Sequence, residues 1–245
     1  MSQKGLAPFG IFAAFRGEGV GDMDAMLPQF IDKGRFPVVF TTEQLLAQEE
    51  VRFTRRTYEE GACIFLAEER HRCTYHVVSG LVRLYLTSRD GIVKTLFYHA
   101  EGTQFGFQGF KRDRLTRSTA EAATDCEVLA IDFEDLLVLC NRNTDYYLAY
   151  IEYLFAIMNS QTEEIASLAF QTGVRRLAEL LYALARSGGP VIPYSIGELA
   201  EIIGAHRNTV SNSLAHLRKR GLVAGGPRPI AVADVEGLRR YLDEA

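Results

Sequence analysis

The feature that most limits what this chain can fold into is the stretch from Ser195 to Val223, which reads as helix, tight turn, helix. Ser195 and Glu198, three places apart, form a capping box in which each side chain takes the other's backbone N–H, so a helix starts there. Its apolar positions Ile196, Leu199, Ala200 and Ile203 share one face, and Gly204 supplies the stop that glycine gives just past a helix end. A second periodic run follows, with Val210, Leu214 and Leu217 facing inward. Arg207, Asn208, Ser211 and Asn212 are left together on the opposite side, near its start.

That outward quartet can read base edges, because arginine pairs with guanine and asparagine with adenine in bidentate geometry. From His206 to Arg220 the chain carries Arg207, Arg218, Lys219 and Arg220 and no acid, so it can neutralise phosphates at both ends of the helix. A bland amphipathic helix pair does not call for cap, turn and this chemistry together. Charge points the same way. Residues 171–245 hold ten Lys/Arg against seven Asp/Glu, a net +3, which leaves −7 for the rest of a chain whose total is −4. A polyanion partner suits that one end.

These residues carry a resemblance to the Crp/Fnr family of bacterial transcription regulators, whose recognition helices open with a run like Arg207-Asn208-Thr209-Val210-Ser211. The likeness extends upstream through Ser167-Leu168-Ala169-Phe170 and Arg175 to Arg186, and covers most of the chain from about Arg52 onward. It implies double-stranded DNA with an inverted-repeat operator as the main partner, RNA polymerase as a further candidate partner, and no catalysis. Ser195, His206, Arg207, Asn208, Thr209, Ser211, Asn212, Lys219 and Arg228 are the DNA-contacting candidates. Many family members carry Glu where Asn208 stands and Arg where Asn212 stands, so the operator is expected to differ at those bases.

Composition describes a protein with a sizeable core, 47% hydrophobic and 24% charged, and no stretch approaches the roughly 20 apolar residues of a membrane span. With no export signal at the N-terminus, the expected compartment is the cytoplasm. Cys63, Cys73, Cys126 and Cys140 are widely spaced and read as buried thiols, neither a zinc knuckle nor a disulfide framework. Residues 1–50 suggest short apolar helical pieces at Met26–Ile31 and Glu43–Glu49 and no chemistry. The closely spaced cysteines that hold an iron–sulfur cluster in an oxygen-sensing family member are absent from that region.

From Arg52 to about Asp132, short β-branched and aromatic runs are broken at Glu60-Gly61, Ser79-Gly80, Asp90-Gly91 and Glu101-Gly102. Breaks near every tenth residue argue for antiparallel strands in a sandwich or barrel, which can hold one small ligand. The resemblance makes this a cyclic-nucleotide-binding-like jelly roll. Where cyclic-nucleotide binders have Gly-Glu, this chain has Gly106-Phe107, which removes the acceptor for the ribose hydroxyl and disfavours cyclic AMP. Gly106-Phe107-Gln108 also stands where a haem-binding member has Cys-x-His, so no haem is expected. Arg117-Ser118 falls near the family's Arg-Ser pair, shifted by one residue; Arg117 reads equally as an anion contact or a solvated loop charge. Leu96, Phe97, Phe107, Arg117, Ser118, Gln161 and Thr162 are the effector-contacting candidates. His71, Cys73 and His76 cluster loosely, but strand alternation separates His76 from Cys73, and no metal site is read there.

A long helix follows from about Asp145 to Phe170. Tyr147, Ile151, Leu154, Met158, Gln161, Ile165 and Leu168 fall alternately four and three apart, the seam of a coiled coil and so of a homodimer. Gln161 either fixes its register or touches the effector. Phe170-Gln171-Thr172-Gly173 reads as a hinge, flexible at Gly173, and Gly225-Gly226-Pro227-Arg228 as the tip of a wing. The expected architecture is α+β: an effector-sensing jelly-roll barrel with an N-terminal extension over 1–142, a dimerisation helix over 143–170, and a winged helix-turn-helix over 171–245. Two other readings stand beside it. One is a cupin-like enzyme, for which His76 and His99 are too isolated; the other is a DNA-binding or dimerisation module that needs no ligand.

Overall fold

The computed structural model describes residues 38–106, 115–226 and 229–244, so Met26–Ile31, Phe107 and Arg228 lie outside the described residues. The described chain forms two compact units, residues 38–88 with 95–159 and residues 89–94 with 160–244.

The first unit opens with the helix α1 (Thr42–Leu46), continues through eight strands and closes with two helices. The strands are β1 (Phe53–Tyr58), β2 (Cys63–Phe65), β3 (Cys73–Ser79), β4 (Val82–Thr87), β5 (Val93–His99), β6 (Gln104–Phe105), β7 (Thr119–Ala122) and β8 (Cys126–Asp132). They make two four-stranded sheets, ordered β1-β8-β3-β6 and β2-β7-β4-β5. Between the sheets, Tyr75, Val77, Val128 and Ala130 pack with Phe65, Val82, Leu84, Ala120 and Ala122. Gly61, Gly80, Gly91 and Gly102, at the four breaks read from the sequence, all adopt positive φ. At Gly80 the requirement is twofold, since a Cβ there would also collide with the main chain of Asp125 and Cys126.

The other face of the β1-β8-β3-β6 sheet is covered by α1, by α2 (Phe133–Arg142) and by α3 (Thr144–Phe170). Leu45, Leu136, Leu139, Tyr146, Tyr150, Tyr153 and Ile157 close over Ile131 there. The helix α3 therefore carries two stripes one residue apart. Tyr146, Tyr150, Tyr153, Ile157, Ser160 and Ser167 are buried, while Tyr147, Met158, Ile165 and Leu168 of the expected seam are exposed and Ile151 and Leu154 are partly so. The sequence reading found only the outer stripe. Both repeat four and three apart, and a pattern apolar on two adjacent sides looks less amphipathic than either side alone.

Among the described residues no helix is long and apolar enough to cross a membrane. The four thiols are free, but only Cys126 is buried; Cys73 and Cys140 are half-buried and Cys63 is exposed. The expectation of four buried thiols holds in full at Cys126 alone and fails most at Cys63, which starts the short edge strand β2, whose side chains become buried only towards Phe65.

Besides residues 89–94, the second unit holds the C-terminal part of α3 and then α4 (Gly173–Gly188), β9 (Val191–Ile192), α5 (Ile196–Ile203), α6 (Arg207–Lys219), β10 (Val223–Gly225), β11 (Ile230–Val232) and α7 (Val235–Glu244). Three strands pair in the order β10-β11-β9, and Leu177, Leu181, Leu199, Val210, Leu214 and Leu238 belong to one core. Gly173 is the first residue of α4 and has no left-handed backbone, so no positive φ calls for glycine there. Packing does: a Cβ at Gly173 would stand 2.8 Å from Cγ2 of Thr209. The segment read as a hinge is tied by side chains. Ser167 Oγ donates to Gln171 Oε1 (2.6 Å), and Gln171 Nε2 (2.9 Å) and Arg175 Nε (3.2 Å) both donate to Glu179 Oε1. Burial raises the Glu179 carboxyl above its ordinary pKa, against the pull of Arg175 and Gln171.

Candidate nucleic-acid interface and effector chamber

The helix-turn-helix is set by its caps. Ser195 Oγ accepts from Glu198 N (3.2 Å) and Glu198 Oε2 from Ser195 N (2.7 Å), the expected capping box. Gly204 ends α5 in the left-handed region at φ 63°, where glycine carries no steric penalty. Two cations then meet the negative end of α5: Lys94 Nζ donates to Ile202 O (2.7 Å) and Arg176 Nε to Ile203 O (3.2 Å). Lys94 also pairs with Glu164 at 2.9 Å.

On α6, Val210, Leu214 and Leu217 are buried, as their spacing requires. His206, Arg207, Asn208, Ser211, Asn212 and Lys219 are exposed and Thr209 is half-buried, so the structure brings the expected reading face together on one helix. No acid lies in its first turn, and the His206 side chain takes no cap hydrogen bond. Ser195 is half-buried and its hydroxyl is used by the cap.

Two of the cations able to neutralise phosphate also have partners within the protein. Arg218 Nη2 donates to Gly226 O (3.0 Å), tying α6 to the wing loop, and the Arg220 guanidinium lies 5.1 Å from the centre of the Tyr241 ring on α7. Nothing in the local sequence signals these roles, because the partners lie on other elements. Asp234 caps α7 as read, its Oδ1 accepting from Gly237 N at 2.7 Å.

The interior of the two-sheet unit is aromatic. Tyr75 stacks on Phe105 with ring centres 5.0 Å apart, Phe65 lies 5.8 Å from Tyr75, and His71 stacks on Phe65 at 4.3 Å. Phe65 and Phe105 were not singled out in the sequence; alternation along short strands was the one signal that could have found them. Of the expected effector contacts, Ser118 is buried, and its carbonyl accepts from the buried Thr116 hydroxyl at 3.0 Å. Arg117, between them, points outward: its side chain is 82% exposed and pairs with Glu68 at 3.3 Å. Of the two readings open for Arg117, this exposure fits the solvated charge, and the one-residue shift seen in the sequence puts Thr116 on the inward side. Leu96 and Phe97 are half-buried, and Phe97 packs with the helix-covered cluster rather than with the Phe65 interior. Gln161 and Thr162 are exposed on α3.

His71, Cys73 and His76 diverge. His71 Nδ1 lies 3.1 Å from the Cys73 carbonyl, Cys73 Sγ donates to Asp132 Oδ1 (3.6 Å), and His76, on the other face, meets the Thr42 hydroxyl at 3.0 Å. Burial lowers the pKa of His76 to about 4 and that of His99 to about 3.

Residues 55–143 match the cyclic nucleotide-binding domain family, and residues 175–241 the Crp-like helix-turn-helix domain family. The chain is 33% identical over 195 residues to the cyclic AMP receptor protein of Thermus thermophilus, covering 77% of this chain and 90% of that protein. Among solved structures, a putative Crp/Fnr-family transcriptional regulator from Eubacterium rectale superposes with a TM-score of 0.69 at 18% identity, over 86% of this chain and all (100%) of that one. A CRP-family transcriptional regulator from Thermus thermophilus gives 0.61 at 26% identity, over 78% and 97%. With both domains matched and nearly the whole of a relative covered, the chain belongs to the Crp/Fnr family of DNA-binding transcription regulators.

Proposed function

We propose that the protein acts as a homodimer on an inverted-repeat operator and is controlled by a small molecule, other than cyclic AMP, in its two-sheet domain. The observation that carries the DNA reading is the exposed row Arg207, Asn208, Ser211 and Asn212 on a helix whose other side is buried. Arg207 pairs with a guanine in each half-site and the two asparagines favour adenine, so the half-site is A/T-rich around that guanine. Two-fold symmetry puts half-site centres about one helical turn apart. Lys219, further along the exposed face, contacts phosphate. Dimerisation through α3 is supported by the exposed apolar stripe Tyr147, Met158, Ile165 and Leu168.

The effector is apolar or aromatic. The stacked interior rings support this, and so does the outward Arg117, which leaves no arginine at the expected anion position. One relative is named a cyclic AMP receptor protein, yet Phe107 here replaces the glutamate expected to accept from a ribose hydroxyl. At the positions where family members hold haem or an iron–sulfur cluster this sequence lacks their ligands, and RNA polymerase is the downstream partner proposed for the regulator. Selection of bound fragments from genomic DNA tests the reading: it should return a dyad-symmetric motif whose guanine preference disappears with Arg207→Ala. A motif without symmetry, or one unchanged in that variant, would refute it. Calorimetry with cyclic AMP should show no micromolar binding.

A further inference from the structure

We infer that Gly197 is a positioning residue for operator reading: its bare α-carbon is the seat on which the Arg207 guanidinium rests, and the seat aims the arginine at its base. This rests on the reading of Arg207 as the guanine contact.

Gly197 is the second residue of α5, between the half-buried Ile196 and the exposed Glu198, and is itself buried. Its backbone does not need glycine, for it is not among the positive-φ positions. Glycine is also among the poorest helix formers and alanine the best. The neighbourhood supplies the reason. A Cβ at Gly197 would stand 2.8 Å from Nη2 and 3.1 Å from both Cζ and Nε of Arg207, and these are its three nearest atoms. What glycine makes room for is thus the far end of a flexible side chain, not a neighbouring backbone.

Arg207 begins α6 and is otherwise exposed. An arginine, long and flexible, loses much rotamer entropy when it is fixed on a base edge. Resting the guanidinium on a rigid helix restricts those torsions beforehand, as precise reading sites require. With alanine in place of the glycine, the head group is pushed off by a few tenths of an ångström or more, while the helix itself is improved.

The test uses the full-length protein and the selected operator, with duplexes carrying each of the four bases at the position lost in Arg207→Ala. Gly197→Ala should melt at or above the wild-type temperature, bind the operator about tenfold more weakly, and discriminate among the four bases as poorly as Arg207→Ala. Full discrimination in Gly197→Ala, while Arg207→Ala loses it, overturns the seat and leaves the arginine reading intact. Equal weakening on all four duplexes, or a lower melting temperature, also overturns it, by assigning the glycine to phosphate contact or to packing. Retained discrimination in Arg207→Ala removes both inferences together.

Discussion

The hydroxyl of Tyr153 serves both main-chain groups of Gln104, accepting from its N–H (3.2 Å) and donating to its carbonyl. Gln104 lies on β6, the edge strand of its sheet, where main-chain groups pointing away from β3 would have no strand to pair with. One phenol from α3 finishes that edge, and Tyr146 OH donates to the Gln104 side chain at 3.2 Å.

Tyr153→Phe should therefore lower unfolding stability by about 2–6 kcal/mol, since two buried backbone groups lose their partner at about 1–3 kcal/mol each. Urea denaturation measures this. Tyr147→Phe, on the exposed stripe of the same helix, should change monomer stability little.

His76 supplies a pH dependence with a defined sign. Its folded-state pKa of about 4 lies below the ordinary 6.5, because burial disfavours the imidazolium. The unfolded chain takes up a proton below pH 6.5 while the folded chain does not, so stability is highest above 6.5 and falls as pH drops towards 4. Replacing His76 with Gln should reduce the slope of that part of the stability profile, leaving the share of His99, whose pKa burial lowers to about 3 in the same way. A wild-type profile with no slope between pH 6.5 and 4 would count against a buried neutral His76.

Dimerisation is tested on the outer stripe. Ile151→Asp combined with Met158→Asp should give folded monomers in sedimentation, because both side chains lie outside the stripe that holds α3 to its own sheet. Operator binding should fall with it, as each monomer then binds a single half-site. A wild-type monomer at micromolar concentration would remove the dimer reading.

Much of this was legible because it is local. The Ser195–Glu198 cap, the Gly204 stop and the glycine breaks at 61, 80, 91 and 102 are each written within a few residues, and the structure places all of them as read. What stayed hidden depends on partners far apart in the chain. Whether Arg218 faces phosphate, and whether Arg117 is an anion contact or a solvated charge, turns on Gly226 and Glu68, the partners these side chains take in the fold. The packing that calls for glycine at 173 involves the Thr209 methyl on another helix, which spacing along the chain does not show.

Gly173→Ala should consequently destabilise the second unit although alanine favours helix. Overpacking against Thr209 costs about 1–3 kcal/mol, while the gain in helix propensity is at most about 1 kcal/mol. Thermal unfolding should show a net loss, with weaker operator binding as Thr209 and α6 shift. A more stable Gly173→Ala protein would restore the hinge explanation.

The last prediction separates two neighbouring cations on α6. Lys219 is exposed in the helix's final turn, whereas Arg218 is half-buried and donates to the wing at Gly226. A phosphate contact releases counterions, so Lys219→Met should weaken binding to every sequence alike and reduce the slope of log affinity against log salt by about 0.9 per protomer. Arg218→Met removes a strut rather than a contact. It should lower affinity several-fold by freeing the wing, yet leave the slope contributed by α6 unchanged and the base preferences intact. Titrations of both variants from low to moderate salt decide the assignment: a reduced slope for Arg218→Met, with none for Lys219→Met, would exchange the two roles.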